Sequence, residues 1–466
     1  MIFDKKRKIR NIMQGFQTIG NATLIAYDKK PILTTDPWLN NHEAYFGSWS
    51  LDYSIPKDLE KDIFNSEYIW ISHGHPDHLN PHSVQKFKSN KILIPDHVGN
   101  RIYKWLKQVG YNVQILKDRK WMQLTDSIRV MSIADFNQDA ILLLEINNKL
   151  VINTNDAGVR SCRAFIRKIA KNYTDVYVLA LSGYGDADMI NIFTENWERV
   201  TPTAALKKPV GAKLSDHAKT LGANKVIPFS SFHKYTREDS LWAEQYTTPI
   251  EAYKVGFDSK NLEFIDPFSF VNCNNNEIIN LKLKKSETKI YKPEDFGDSW
   301  SEELEKKDLD LIKNYFLRLE LLLDRIGFIN FKVGNRENYF YINRNIKKGI
   351  TFEVPRKSLM KAIKWEIFDD LLIGNFMKTT FHGKNFNSLY DVEFNPIVAK
   401  YADNGLVYTK SDFKKYMDEY KLRSEGEWLK EYFEKKTSQL FRKYVHYDSK
   451  MYNFGLKTYS QFKKIF

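Results

Sequence analysis

The sequence predicts an α/β layered domain over residues 1–285, followed by a smaller α+β domain over 286–466 with a basic helical tail. Three observations carry that expectation. Short runs rich in Val, Ile, Leu and Tyr recur along the first part of the chain and mostly stop at Asp, Ser, Gly or Pro, as buried strands do. Segments with helical spacing lie between several of these runs, which is the alternation of a layered α/β domain. Past a polar stretch at 272–285 the pattern changes to one amphipathic helix, a few short strands and a helical tail.

In chain order, the strand candidates are NATLIAY, KPILTTD, YIWIS, KILIPD, IRVMSI, AILLLEI, KLVINTND, VYVLAL and KVIPFSS. The helical segments between them fall near 82–88, 100–109 and 163–172. After the connector YKPEDFGDSW, Ser301 reads as an N-cap. Leu309, Ile312, Phe316, Leu319, Leu323 and Ile326 then form one apolar helix face ending at Gly327. The pieces YFYINR and GITFEV read as strands, 357–367 as a helix, and the chain from Asp412 as a basic helix. This second part shows no catalytic motif and is expected to pack against the first or to cover its substrate.

Composition removes several functional classes. The chain has 466 residues, including 31 Phe, 26 Tyr and 10 Trp, so enough apolar area is present to offset the ordering entropy of folding. No run of about 20 apolar residues is present to span a membrane. The basic start MIFDKKRKIRNIMQGF lacks the apolar core of a secretory signal, and the expected location is the cytoplasm. Cys162 and Cys273 are too few for a disulfide framework, and also for a Rieske cluster, which needs two Cys and two His. The formal charge of +13 suits an anionic small molecule; the lysines are scattered rather than clustered, so nucleic acid is not the expected partner.

The chemistry is concentrated in Ile71-Ser72-His73-Gly74-His75-Pro76-Asp77-His78, directly after the strand YIWIS. His73 and His75, two apart on an extended segment, project to one side, and the turn begun at Pro76 brings Asp77 and His78 to an adjacent position. Imidazole nitrogen with carboxylate oxygen suits Zn, Fe or Mn, and an incomplete protein shell leaves room for water or substrate.

This His-x-His-x-Asp-His pattern after a strand resembles the signature of the metallo-β-lactamase superfamily. The segments Asp36-Pro37-Trp38-Leu39, Ile152-Asn153-Thr154-Asn155-Asp156, Leu181-Ser182-Gly183 and Pro228-Phe229-Ser230-Ser231-Phe232 follow in order, as similar segments do in the CMP-N-acetylneuraminate hydroxylase-like branch. The resemblance implies an αββα sandwich with the metals at one edge of the two sheets and Asp156 bridging two metal positions. Two departures matter. Where the superfamily places a further His after the strand matching IRVMSI, this chain reads Ala134-Asp135-Phe136-Asn137-Gln138-Asp139, with Asp135 the best substitute. Where another His is expected after KVIPFSS stands Arg237, which cannot ligate, and His233 is the replacement candidate.

The candidate ligands are therefore His73, His75, Asp77, His78, Asp135, Asp156 and His233, holding two transition-metal ions. The carboxylate-rich set favours iron, with zinc or manganese as alternatives. Asp36, His97, Tyr184 and Arg237 are the candidates for substrate contact. Two reactions suit such a centre: hydrolysis by an acidified water oriented by Asp77, and oxidation of an anionic or nucleotide-activated substrate by two irons. The second is favoured by the resemblance. It requires a separate electron donor, a ferredoxin or reductase. A binding protein with a degenerate site is the third reading.

Overall fold

The computed structural model describes residues 14–428 apart from 182–190, 203–204, 206–208, 385, 387 and 425. Strand alternation sets the layers. In the strand Thr23–Asp28, Leu24 and Ala26 face a core shared with the second sheet, whereas Ile25 and Tyr27 face the opposite way. The same split runs through Ala140–Ile146, where Leu142 and Leu144 face inward and Ile141 and Leu143 outward. Because both faces of each sheet are covered, these strands read as continuous apolar runs.

The first sheet has eight strands, in the order Ile278–Asn280, Ser269–Asn272, Gln14–Ile19, Thr23–Asp28, Pro31–Thr35, Tyr68–Trp70, Lys91–Pro95 and Val113–Leu116. The second has seven: Glu263–Phe264, Lys225–Pro228, Val176–Ala180, Lys149–Asn155, Ala140–Ile146, Ile128–Ala134 and Met122–Gln123. Helices Lys57–Phe64 and Arg101–Gln108 bury Leu59, Ile63 and Leu106 against the outer face of the first sheet. Helices Arg163–Ala170 and Val210–Leu221 bury Ile166, Leu214, Ala218 and Leu221 against the outer face of the second. The result is the αββα sandwich that the resemblance implied.

Three differences from the sequence reading have physical causes. The polar stretch after Asn272 forms an edge hairpin, Ser269–Asn272 with Ile278–Asn280, because an edge strand tolerates polar residues on its open side. The helix expected from Ser301 starts instead at Lys306, capped by Glu305 with Asp308, and ends at Leu317 before a second short helix, Glu320–Leu323. A further sheet of five strands holds Phe328–Val333, Arg336–Tyr341, Gly349–Glu353 and Lys378–His382, with Ile192–Phe193 from the earlier part of the chain paired in parallel to Lys378–His382. The two regions thus share a sheet. Among the described residues no helix is long and apolar enough to cross a membrane.

In the first sheet Pro31–Thr35, Tyr68–Trp70, Lys91–Pro95 and Val113–Leu116 run parallel, as do Lys149–Asn155, Val176–Ala180 and Lys225–Pro228 in the second. Loops leaving the carboxyl ends of such strands are where α/β sheets place their sites. Asp36, Ser72 to His78, and Asn155-Asp156 all leave strands at such ends.

Candidate metal centre

His73, His75 and Asp156 each offer a donor atom within 4.8 Å of the others, and they come from two different sheets. His73 Nε2 lies 2.9 Å from His75 Nδ1 and 3.9 Å from Asp156 Oδ2. His78 Nε2 stands 3.6 Å from the same Asp156 oxygen and 3.2 Å from Asp77 Oδ2. Donors around a tetrahedral ion at about 2.0–2.1 Å stand roughly 3.3 Å apart, so these spacings bracket a metal shell.

The outward nitrogens identify which atoms face the centre. His73 Nδ1 is 2.9 Å from Ser72 Oγ, and His75 Nε2 is 3.1 Å from Asp369 Oδ2. His78 Nδ1 is 3.2 Å from Asp36 Oδ2 and 3.0 Å from Asn155 Nδ2. Each imidazole is thus held by one nitrogen while the other is turned inward, the usual arrangement behind metal-bound histidine. His78 Nε2 is buried facing the Asp77 and Asp156 carboxylates, without a well-aligned hydrogen bond. A cation bound there would satisfy both the nitrogen and the carboxylates.

Asp36 accepts from the Ser72 N–H at 2.7 Å, from Ser72 Oγ at 2.8 Å and from Asn155 Nδ2 at 2.8 Å, and it is fully buried. It was expected at the substrate; its position behind His78 instead makes it an anchor of that ring. Asp77 is fixed from two sides, accepting from Tyr45 Oη at 2.6 Å and Asn21 Nδ2 at 3.1 Å. Against the raising effect of burial, His78, the Tyr45 hydroxyl and His75 hold its carboxyl below the usual range. Burial pulls the His78 imidazole down, but Asp77 and Asp156 outweigh it and keep it well above the ordinary value. For His73, burial and the neighbouring His78 and His75 push the value well down. His75 is lowered by burial yet raised further by Asp369, to about 9.

His233 lies in a short strand, His233–Tyr235, paired with Trp49–Leu51. Its ring stacks on Trp49 at 3.4 Å and 7°, and both ring nitrogens are buried without a hydrogen-bond partner. Burial lowers it to about 4, opposed by the charge of Asp77. Asp135 is placed differently. Its Oδ1 accepts from the N–H groups of Asn137 at 2.7 Å and Asp139 at 3.2 Å, closing its own loop. A side-chain carbon at Gly158 would stand 3.7 Å from Asp135 Oδ2, so that oxygen faces the turn after Asp156. Burial and Asp139 raise its carboxyl to about 7.

The remaining candidates separate. His97 Nε2 lies 3.1 Å from the Ser72 carbonyl, so it braces the strand end from behind. Arg237 was expected to contact substrate, but its guanidinium is fully buried, bonded to Asp239 at 2.9 Å, Asp298 at 2.9 Å and the Phe46 carbonyl at 2.9 Å, and it lies over the Phe376 ring. It ties the two regions together. Tyr184 lies outside the described residues.

Sequence reasoning missed Tyr45, Asn21 and, above all, the second region's share. Asp369 and Asp370 sit in the short buried helix Phe368–Ile373, and Lys400 in the π-helical stretch Pro396–Asn404, its Nζ 3.8 Å from Asp139 Oδ2. The available signal was two carboxylates beside Phe368, Leu371, Leu372 and Ile373, where an apolar core offers them no solvation.

A scan against family models found no match. Curated sequences do match: a cytidine monophosphate-N-acetylneuraminic acid hydroxylase of Pongo pygmaeus is 26% identical over 230 residues, covering 47% of this chain and 38% of that protein. The Danio rerio protein of the same name is 28% identical over 130 residues, covering 26% and 22%. The matches thus span less than two thirds of these relatives' length. Among solved structures, CmlA, a diiron beta-hydroxylase from Streptomyces venezuelae, is 12% identical with a TM-score of 0.35, covering 58% of this chain and 54% of that one. An isothiocyanate hydrolase from Delia radicum gut bacteria is 13% identical with a TM-score of 0.38, covering 58% and 100%.

Proposed function

We propose that this chain, a metallo-β-lactamase-fold protein similar in sequence to the CMP-N-acetylneuraminate hydroxylases, is a metal-dependent oxidoreductase with a dinuclear centre acting on an anionic or nucleotide-activated small molecule. The reading is carried by the donor set. His73 Nε2, His75 Nδ1 and Asp156 would hold one ion, with Asp135 at the place of a missing histidine. Asp77, His78 Nε2 and His233 would hold the other, with Asp156 between them. Each position then combines imidazole with carboxylate, the set that non-haem iron uses.

Bound iron would supply oxygen activation for substrate oxidation, and electrons would come from a separate ferredoxin or reductase. The protein's own part is positioning. Tyr45 and Asn21 keep the Asp77 carboxylate aimed; Ser72, Asp36 and Asp369 set the tautomers of His73, His78 and His75. The elements around Asp369 and Lys400 shield one side of the centre from water, and the Lys400 ammonium offers positive charge there to an anionic substrate.

Hydrolysis is the second reading, favoured by the Asp77, His78 and His233 trio, which suits zinc with an acidified water oriented by Asp77. Metal analysis of protein purified without added metal separates the two. About two irons per chain and a visible band that bleaches on reduction and returns in air are expected. Zinc alone, or iron-loaded protein without such a band, would refute the oxidative reading; no metal retained under any loading condition would refute both.

A further inference from the structure

The second region reaches the centre through the Asp369 carboxylate. Asp369, 294 residues beyond His75, puts Oδ2 at 3.1 Å from His75 Nε2, and its side chain is 9% exposed. The opposite ring nitrogen, Nδ1, is the one 2.9 Å from His73 Nε2. An imidazole that donates from Nε2 to a carboxylate has its lone pair on Nδ1, so this contact selects the tautomer that faces His73 and Asp156.

We infer that Asp369 is a positioning residue of the metal centre and that docking of the second region is therefore part of metal loading. The inference rests on the metal-centre reading. The docking is built to persist: Trp242 Nε1 donates to the Asn375 carbonyl at 2.8 Å, Gln138 Nε2 to Tyr416 Oη at 2.8 Å, and the Arg237 to Asp298 pair is buried. Linkage is reciprocal, so a metal that binds more tightly when Asp369 is in place also holds the second region in place.

The test is metal affinity in the full chain. Zinc or cobalt(II) is titrated against a competing chromophoric chelator for wild type, Asp369→Asn, Asp369→Ala, Asp369→Glu and, on the exposed surface of the second region, Asp324→Asn, with circular dichroism confirming the fold. Loss of an outer carboxylate behind a histidine typically weakens metal binding 10- to 100-fold. The expected result is a loss of that size in Asp369→Ala, a smaller one in Asp369→Asn, and partial rescue in Asp369→Glu. A changed cobalt ligand-field spectrum in the first two is also expected, with Asp324→Asn within about twofold of wild type. Wild-type affinity and spectrum in folded Asp369→Asn and Asp369→Ala would overturn the inference while leaving the metal-centre reading intact. Equal losses in Asp324→Asn would overturn it too. A wild type that binds neither metal would sink the centre itself, and the inference with it.

Discussion

The His75 and Asp369 pair makes the stability of the metal-free protein depend on pH in a direction the structure sets. Burial would lower the His75 imidazole, but Asp369 raises it from 6.5 to about 9. A group whose folded value lies above its unfolded one stabilises fully below the unfolded value, and that stabilisation fades as pH rises through the folded value. Here the window runs from 6.5 to about 9. At about 1.4 kcal/mol per pKa unit, the pair contributes about 3 kcal/mol at pH 6 that is gone by pH 10. Urea unfolding of chelator-stripped wild type and Asp369→Asn at half-unit steps from pH 6 to 10 measures it. The two curves should stand furthest apart near pH 6 and converge above pH 9. A stability difference that stays constant across this range would refute the pairing.

The other predictions address separate atoms. Tyr45→Phe removes only the hydroxyl that donates to Asp77 Oδ1 at 2.6 Å, and should cost about 1.5–3 kcal/mol in metal-free unfolding, as bonds to charged groups do; an unchanged midpoint would mean that Asp77 is held without it. His233→Ala should lower metal content from two equivalents to one by elemental analysis while the fold persists, and retention of both would remove His233 from the shell. Gly99→Ala forces a side chain into a position with φ of +88° and only 2.5 Å from the Gly405 carbonyl, so it should lower the thermal midpoint by several degrees; an unchanged midpoint would show that this close approach between the regions is not kept.

The layered domain and the core of the centre were legible because their signals are local. YIWIS running into His73, His75, Asp77 and His78 places strand, turn and donors within eleven residues of sequence, 68–78, and KLVINTND carries Asp156 at its end. The helix after 301 was misjudged at both ends, since capping by Glu305 with Asp308 and the break after Leu317 depend on side-chain bonds rather than on apolar spacing. Arg237 was misplaced for a related reason: an arginine's role follows its partners, and Asp239, Asp298 and the Phe46 carbonyl are gathered from three separate places in the chain.

What the sequence alone determined is therefore whatever repeats with the period of a strand or helix, or clusters within one turn: the α/β alternation, the His-rich loop, the absence of enough cysteine for a cluster. Tertiary structure alone decided which nitrogen of each histidine faces inward, that Asp36 backs His78, and that a carboxylate from the far end of the chain reaches His75. The physical reason is that hydrogen-bond geometry acts over about 3 Å in space and is indifferent to separation along the chain. Contacts spanning nearly 300 residues leave no local period to read.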